Sequence, residues 1–170
     1  MLVAVRAVPR TVQLKEPSLT QVTYRSPTSD DIVKVAAEMR LADVMEVAAS
    51  HGHSPIDAVI EAVKVSSAAF AVIIDGTPAA VFGFVHRGGM SAEVWMLGTD
   101  LLTRNVRLFR KESKRIIDSW AEQFPLMHNF VDDENEAAKR WLTSVGFKMD
   151  EPRPYGVGRL PFRYFWRVGV

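Results

Sequence analysis

Apolar positions in this chain alternate with period two in some stretches and recur every three to four residues in others, and each change of period marks an element. Residues 21–25, QVTYR, alternate and predict a short first strand. Thr28-Ser29-Asp30-Asp31 offers a capping hydroxyl with a carboxylate three residues on, ahead of Ile32, Val35, Ala36 and Met39 at helical spacing. A helix therefore begins there. Ser54 as N-cap, Pro55 at the first helical position and Asp57 in the first turn start a second helix. AFAVIID, the tight turn Asp75-Gly76 and PAAVFGFVH form a hairpin, and AEVWMLGT adds a third strand beside it. After Thr99 a helical pattern runs to about Gln123, with Val106, Phe109, Ile116, Ile117 and Trp120 on one face and basic residues on another. Residues 126–131 read as a strand, 134–145 as a helix closed by Gly146, and 147–151 as a strand. In the last strand Phe162, Tyr164 and Trp166 alternate against Phe165.

The order β, α, α, β, β, β, α, β, α, β, β implies an α/β (α+β mixed) layer structure, with a central mixed sheet of about six to seven strands flanked by helices. At 170 residues one domain is expected, over 21–170, with residues 1–20 as an N-terminal extension. No apolar run approaches the roughly 18–20 residues that span a bilayer, and the opening MLVAVRAVPR lacks the pattern of a secretory signal. The absence of cysteine excludes disulfides and thiolate metal sites. A net charge of +1 gives no global attraction to nucleic acid or anionic lipid, which leaves one local patch, residues 104–115.

The element order, with AEVWMLGTDLLTRN and NFVDDENEAAKRWLTSVGFKM, resembles the GCN5-related N-acetyltransferase (GNAT) fold over about residues 21–168. Within that fold the chain resembles a phage family, the GNAT-like proteins akin to the internal virion protein A of short-tailed phages. The stretches that carry this likeness are YRSPTSDDIVKVAAEMRLADVMEV, SHGHSPIDAV, DGTPAAVFGF, VWMLGTD, NFVDDENEAAKRWLTSVGF and RPYGVGRLPFRYF. The resemblance implies a phage-encoded, virion-associated protein, found in the host cytoplasm during assembly.

For the acetyltransferases, the resemblance implies a coenzyme pyrophosphate lying on the N-terminus of the helix after the fourth strand, where free N–H groups attract anions. The family's Gln/Arg-x-x-Gly-x-Gly/Ala lets the backbone approach the phosphates. Here Arg104 holds the first position, but Arg107 and Phe109 stand where the small residues belong, and no glycine occurs between Gly98 and Gly146. In the final helix Asn135 and Ala138 match Asn-x-x-Ala, and Gly146-Phe147 match the closing Gly-Phe. Leu142 occupies the position of a tyrosine that, in many active members, reprotonates the departing thiolate; leucine has no proton to give, and the adjacent Trp141 indole is far too weak an acid. Asn135 reads more simply as a helix N-terminal residue that satisfies local backbone groups, and Gly146 more simply as a helix stop. Glu93, at the start of VWMLG, is the best-placed candidate base by position, though a lone glutamate at a strand start reads first as a solvated rim residue.

Two readings follow. One is a degenerate GNAT-fold module, without cofactor or catalysis, that meets other phage virion proteins or a host protein in assembly or genome delivery. The other is an active N-acetyltransferase holding acetyl-coenzyme A through Leu97, Gly98 and Thr99, the helix start at Arg104, Asn105 and Arg107, and Asn135. Arg104, Arg107, Lys111 and Lys114 form one positive ridge at helical spacing, which reads as a solvated face, a docking ridge for an acidic protein, or a phosphate contact. Nucleic acid is disfavoured because no stacking aromatics interleave with the basic residues. His51-Gly52-His53 lacks a third ligand, so no metal is expected; His86 and His128 fall in predicted strands, and no Gly-x-Ser-x-Gly elbow occurs.

Overall fold

The computed structural model describes residues 20–169. Its elements are β1 (Val22–Arg25), α1 (Ser29–Ala37), α2 (Leu41–His51), α3 (Pro55–Val65), β2 (Ala68–Ile74), β3 (Thr77–Val85), β4 (Ser91–Gly98), α4 (Asp100–Arg104), α5 (Val106–Ala121), β5 (Leu126–Asp132), α6 (Glu136–Ser144), β6 (Lys148–Met149), β7 (Arg153–Tyr155) and β8 (Leu160–Val168). The strands form one mixed sheet in the order β1-β2-β3-β4-β5-β8-β6, with β7 also on β8. All pairs are antiparallel except β4 with β5. The sheet thus has eight strands rather than six or seven, because the proline- and glycine-rich stretch after Glu151 forms the short hairpin strand β7 instead of a plain turn.

Local signals set most of the boundaries. Thr28 caps α1 in a full capping box with Asp31, and Ser54 caps α3 ahead of Pro55. Asp75 and Gly76 both take positive φ, as a tight hairpin turn requires, and Gly146 does so after α6. Two boundaries depart from the sequence pattern. A break at Glu38–Arg40 separates α1 from α2: Met39 leaves the helix to bridge Thr99, and the Arg40 N–H donates to the Gly98 carbonyl at 2.9 Å. A second break falls at Asn105, whose side-chain amide donates to the Leu101 carbonyl (2.9 Å), so the predicted long helix becomes α4 and α5.

Helices cover both faces. Phe109, Ile117 and Trp120 of α5, Phe124 just after it, and Leu142 and Val145 at the end of α6 pack on Val72, Phe82, Val94, Met127, Val131 and Phe165. On the other face Val35, Val47, Ala58 and Val59 of α1–α3 pack on Val81 and Leu97. Val106, expected on the apolar face of α5, is 56% exposed because the helix only starts there. Among the described residues no helix is long and apolar enough to cross a membrane.

Candidate functional site

The site lies where β4 and β5 part. They pair only from Ser91–Glu93 to Leu126–His128; beyond that the strands splay, and the Asn129 side chain spans the gap by donating to the Val94 carbonyl at 3.0 Å. The Thr99 N–H goes to Ala79, so odd positions of β4 direct their backbone groups to β3 and even positions direct theirs into the gap. The cleft so formed, about 110 Å³, is lined by β4 and β5, by α2, and by the facing sides of α5 and α6.

The break before α2 brings acid and base to the cleft's outer end. Arg40 makes a bidentate pair with Asp43, both largely buried. Asp43 accepts the Gly98 N–H at 3.1 Å and faces the Asn135 amide at 3.4 Å. One turn on, the Glu46 carboxylate accepts from Asn135 Nδ2 (2.9 Å) and from the Asp132 N–H (3.2 Å). Asn135 turns its oxygen to the Ala138 N–H and so caps α6. The carboxylates of Asp43 and Glu46 thus converge on the Asn135 amide with that of Asp132 nearby, and among these acids the Arg40 guanidinium pairs with Asp43 alone. Burial pushes the Glu46 carboxyl up to about 7, and Asp43 and Asp132 add to that rise while the Asn135 and Asp132 N–H groups oppose it. Such a group takes and releases a proton near neutrality. These acids are not arranged to hold a metal, and among the described residues no other such group is.

The inner wall is closed by aromatics. Phe109 stacks on Trp141 with ring centroids 5.6 Å apart and planes at 21°. The Trp141 indole N–H donates to Ser113 Oγ at 3.0 Å, a serine set among the apolar positions of α5. Beside it Leu142 is buried and offers no hydroxyl.

The residues expected to hold a coenzyme fall into three groups. Leu97 points into the layer under α1–α3, and Thr99 caps α4 while its hydroxyl bonds Ala79; of that strand edge only the Gly98 backbone faces the cleft, already bonded to Asp43 and Arg40. Asn105 marks the helix break, and Arg104 and Arg107 are exposed beside it. Asn135 lines the cleft inside the carboxylate cluster. Phe109, expected beside a diphosphate, instead turns into the cleft. Glu93 lies off the cleft, level with His128 and near Tyr155.

Other candidates are structural. His86 bonds the Ser91 carbonyl at 2.9 Å and packs on Phe124, His128 packs on Tyr164, and His51 and His53 stack at 5.5 Å near the end of α2. Along the basic ridge Lys114 pairs with Asp118 and Arg115 with Glu112. Among the described residues Arg104, Arg107, Arg110 and Lys111 form no ion pair, and the first turn of α5 holds no acid and has no side-chain cap. Sequence reasoning missed Glu46, Asp43 and Ser113. Ser113 alone carried a signal, as the polar interruption of an apolar stripe at 109, 113, 117 and 120.

Comparison of the sequence with protein-family models and with curated proteins returns no match. Solved structures share the fold. Ard1 from Thermoplasma volcanium is 16% identical with a TM-score of 0.65 over 88% of this chain and 98% of that one. A GNAT-family acetyltransferase from Bacillus anthracis is 13% identical with a TM-score of 0.65, over 87% and 95% of the two chains. Spermidine N-acetyltransferase from Vibrio cholerae, in complex with CoA and spermine, is 13% identical with a TM-score of 0.62, over 88% and 96%. The expected GNAT-like fold is therefore the fold of this chain, and likeness at this level of identity carries the fold alone.

Proposed function

We propose that this chain is an interaction module built on an acetyltransferase frame, working as a virion-associated phage protein in assembly or genome delivery. Its partners are then other virion proteins or a host protein. One observation carries the non-catalytic half of this reading: the Phe109–Trp141 stack, fastened by the Trp141–Ser113 hydrogen bond, fills the space between α5 and α6. What remains, about 110 Å³, is well below the roughly 300–1,000 Å³ of a typical ligand pocket. The cleft residues thus do not fit a coenzyme arm, although the uncapped start of α5 with Arg104, Arg107, Arg110 and Lys111 fits an anion. The phage half of the reading rests only on the resemblance of the quoted sequence stretches, since no family model and no curated protein matches the chain. The unpaired cations give that half a surface, because a basic ridge suits an acidic protein partner.

Titration calorimetry with acetyl-coenzyme A tests the module. No heat at millimolar ligand is the expected result, and micromolar binding overturns it. Charge reversal at Arg107 and Lys111 should weaken capture of co-packaged proteins from purified particles, and unchanged capture removes the ridge from the argument.

Glu46 favours a second reading, an N-acetyltransferase acting on a host or phage amine. Its carboxyl faces the cleft with a pKa of about 7, where it can take a proton from an amine. That reading requires Phe109 and Trp141 to part, and it predicts acyl transfer to amines that Glu46→Gln abolishes.

A further inference from the structure

Helix α2 is turned inside out. Its two acids face the protein: Asp43 is buried, Glu46 is half-buried, and both meet the Asn135 amide. Its exposed residues are Leu41, Ala42, Met45, Ala48 and His51, with no carboxylate, ammonium or guanidinium among them. Leu41 is 76% exposed and Met45 59%.

At 3.6 residues per turn, positions 41, 45, 48 and 52 fall on one narrow line, the i, i+4, i+7, i+11 spacing of a helix–helix seam. Gly52 ends the helix in the left-handed region, and Val157 of the β7–β8 turn lies beside it: a Cβ on Gly52 would stand 3.5 Å from Val157 Cγ2. Val157 is 67% exposed yet firmly placed, since its N–H donates to the Ser50 carbonyl (3.1 Å) and the Gly158 N–H to the Ala49 carbonyl (2.8 Å). The apolar seam therefore runs the length of α2 and onto the hairpin that clasps its end.

Two properties select a copy of this chain as the occupant. The first is charge. A partner recognised by its charge finds nothing to read on this face, whereas a second copy brings no like charge against its own, and a net charge of +1 leaves little repulsion between whole molecules. The second is shape. Laid antiparallel about a two-fold axis between Met45 and Ala48, the seam sets Met45 against Ala48 of the copy and Leu41 against Gly52 of the copy, a large side chain facing a small residue in every layer. A parallel pairing instead sets Leu41 on Leu41 and Met45 on Met45, large against large.

We propose that α2 is a self-association surface, through which two copies of this chain pair antiparallel as a reversible two-fold dimer. Three turns of helix and one hairpin turn from each copy make an interface at the small end of the range, so half-association falls at roughly 10–100 μM. Asp43 and Glu46 point away from the seam, and the pairing rests on neither reading of the cleft.

Sedimentation equilibrium of the full chain from about 1 to 500 μM tests it. Met45→Glu buries a charge at the centre of the seam and should weaken pairing about tenfold or more, while Met90→Glu, at a position 70% exposed in the β3–β4 turn, should leave it unchanged. Met45→Lys combined with Ala48→Glu sets opposite charges face to face across the axis only in the antiparallel arrangement, and should pair more tightly than either single variant. A wild-type chain that stays monomeric throughout, a dimer indifferent to Met45→Glu, or a double variant no tighter than the single ones overturns the proposal. So does a monomer in which a soluble nitroxide fails to broaden the Met45 methyl signal, which assigns the seam to another segment of the same chain.

Discussion

Replacing Glu46 by glutamine isolates the cost of the buried carboxylate. Glutamine keeps an oxygen that accepts from Asn135 and from the Asp132 N–H, and its amide can donate to Asp43. In the folded chain the Glu46 carboxyl sits at about 7, against an ordinary 4.5. Below pH 4.5 folded and unfolded chains both hold this proton, and Glu46 leaves stability unchanged. Between 4.5 and about 7 the folded chain holds it and the unfolded chain does not, so stability falls as pH rises. Above about 7 both have lost it, and the full cost of an ionised group under Asp43 and Asp132 is present. At about 1.4 kcal/mol per tenfold change in proton activity, that window is worth about 3 kcal/mol. For a chain of this size the equivalent shift in Tm is roughly 6–12 °C. Urea unfolding of both proteins, followed by tryptophan fluorescence from pH 4.5 to 8.5, measures it. His51, held below its usual range by burial and by His53, titrates in the same region, but its contribution cancels in the difference between the two proteins. Glu46→Gln should therefore gain about 3 kcal/mol over the wild type across the window, most of it by pH 7. A difference that stays constant with pH would refute the assignment of a neutral-range carboxyl to this position.

Four further outcomes are expected. Arg25 and then the Thr28 groups hold the Asp31 carboxyl at about 2, below its ordinary 3.8, so its stabilisation is present above pH 3.8 and lost as pH falls towards 2. Asp31→Asn should cost about 2 kcal/mol at pH 6 and only a small fraction of that at pH 2, where the folded-chain carboxyl is half protonated, as read from unfolding midpoints. Trp141→Phe keeps the stack but loses the Ser113 bond and should cost about 1 kcal/mol, against about 3–5 for Trp141→Ala; equal losses would remove the hydrogen bond from the account. Asn135→Ala removes the α6 cap and the donor that Glu46 and Asp43 share, which should cost about 2 kcal/mol and raise the apparent pKa of Glu46. A Cβ at Gly83 would stand 2.3 Å from the Ala68 carbonyl oxygen, so Gly83→Ala should fail to fold or lose several kcal/mol, and a wild-type melting curve would contradict the β2–β3 register.

The elements were legible wherever a local signal set them. The Thr28–Asp31 capping box, Ser54-Pro55, Asp75-Gly76 and Gly146 each act within four residues, and each lies where the pattern placed it. The break between α1 and α2 was not legible, because Met39-Arg40-Leu41 contains no helix breaker. It exists because Met39 and Arg40 do better as a bridge to the end of β4, a contact some sixty residues away in sequence. Asn105 carried a faint signal, a side chain that competes for backbone partners in the middle of a helical pattern. Val106 was misplaced as a consequence, since a helix that begins there cannot bury its first residue as an interior one.

The site follows the same division. Motif reading reached Asn135 but could not reach what it bonds, because its partners Glu46 and Asp43 lie 89 and 92 residues earlier. Those acids belong to α2, a helix whose start was hidden, so they came to the cleft unannounced. Asn135 caps α6 and feeds two carboxylates, which accounts for its place in the fold without any ligand. A motif match therefore records a need of the frame before it records an activity. Phe109 carries the opposite lesson. Its bulk, set against a glycine-bearing pattern, pointed to a crowded phosphate site, and the crowding is real but lies deeper, against Trp141 between the two helices. The first turn of α5 is basic and free of acids, while Phe109 and Trp141 fill the space between α5 and α6 behind it, so the two positions can be tested separately. Inorganic phosphate should accordingly bind at Arg104 and Arg107 with an affinity that Phe109→Ala leaves unchanged, whereas any gain in coenzyme affinity should appear only when Phe109 is shortened. Gain of both together would show that one crowded site, rather than two separate positions, governs the ligand.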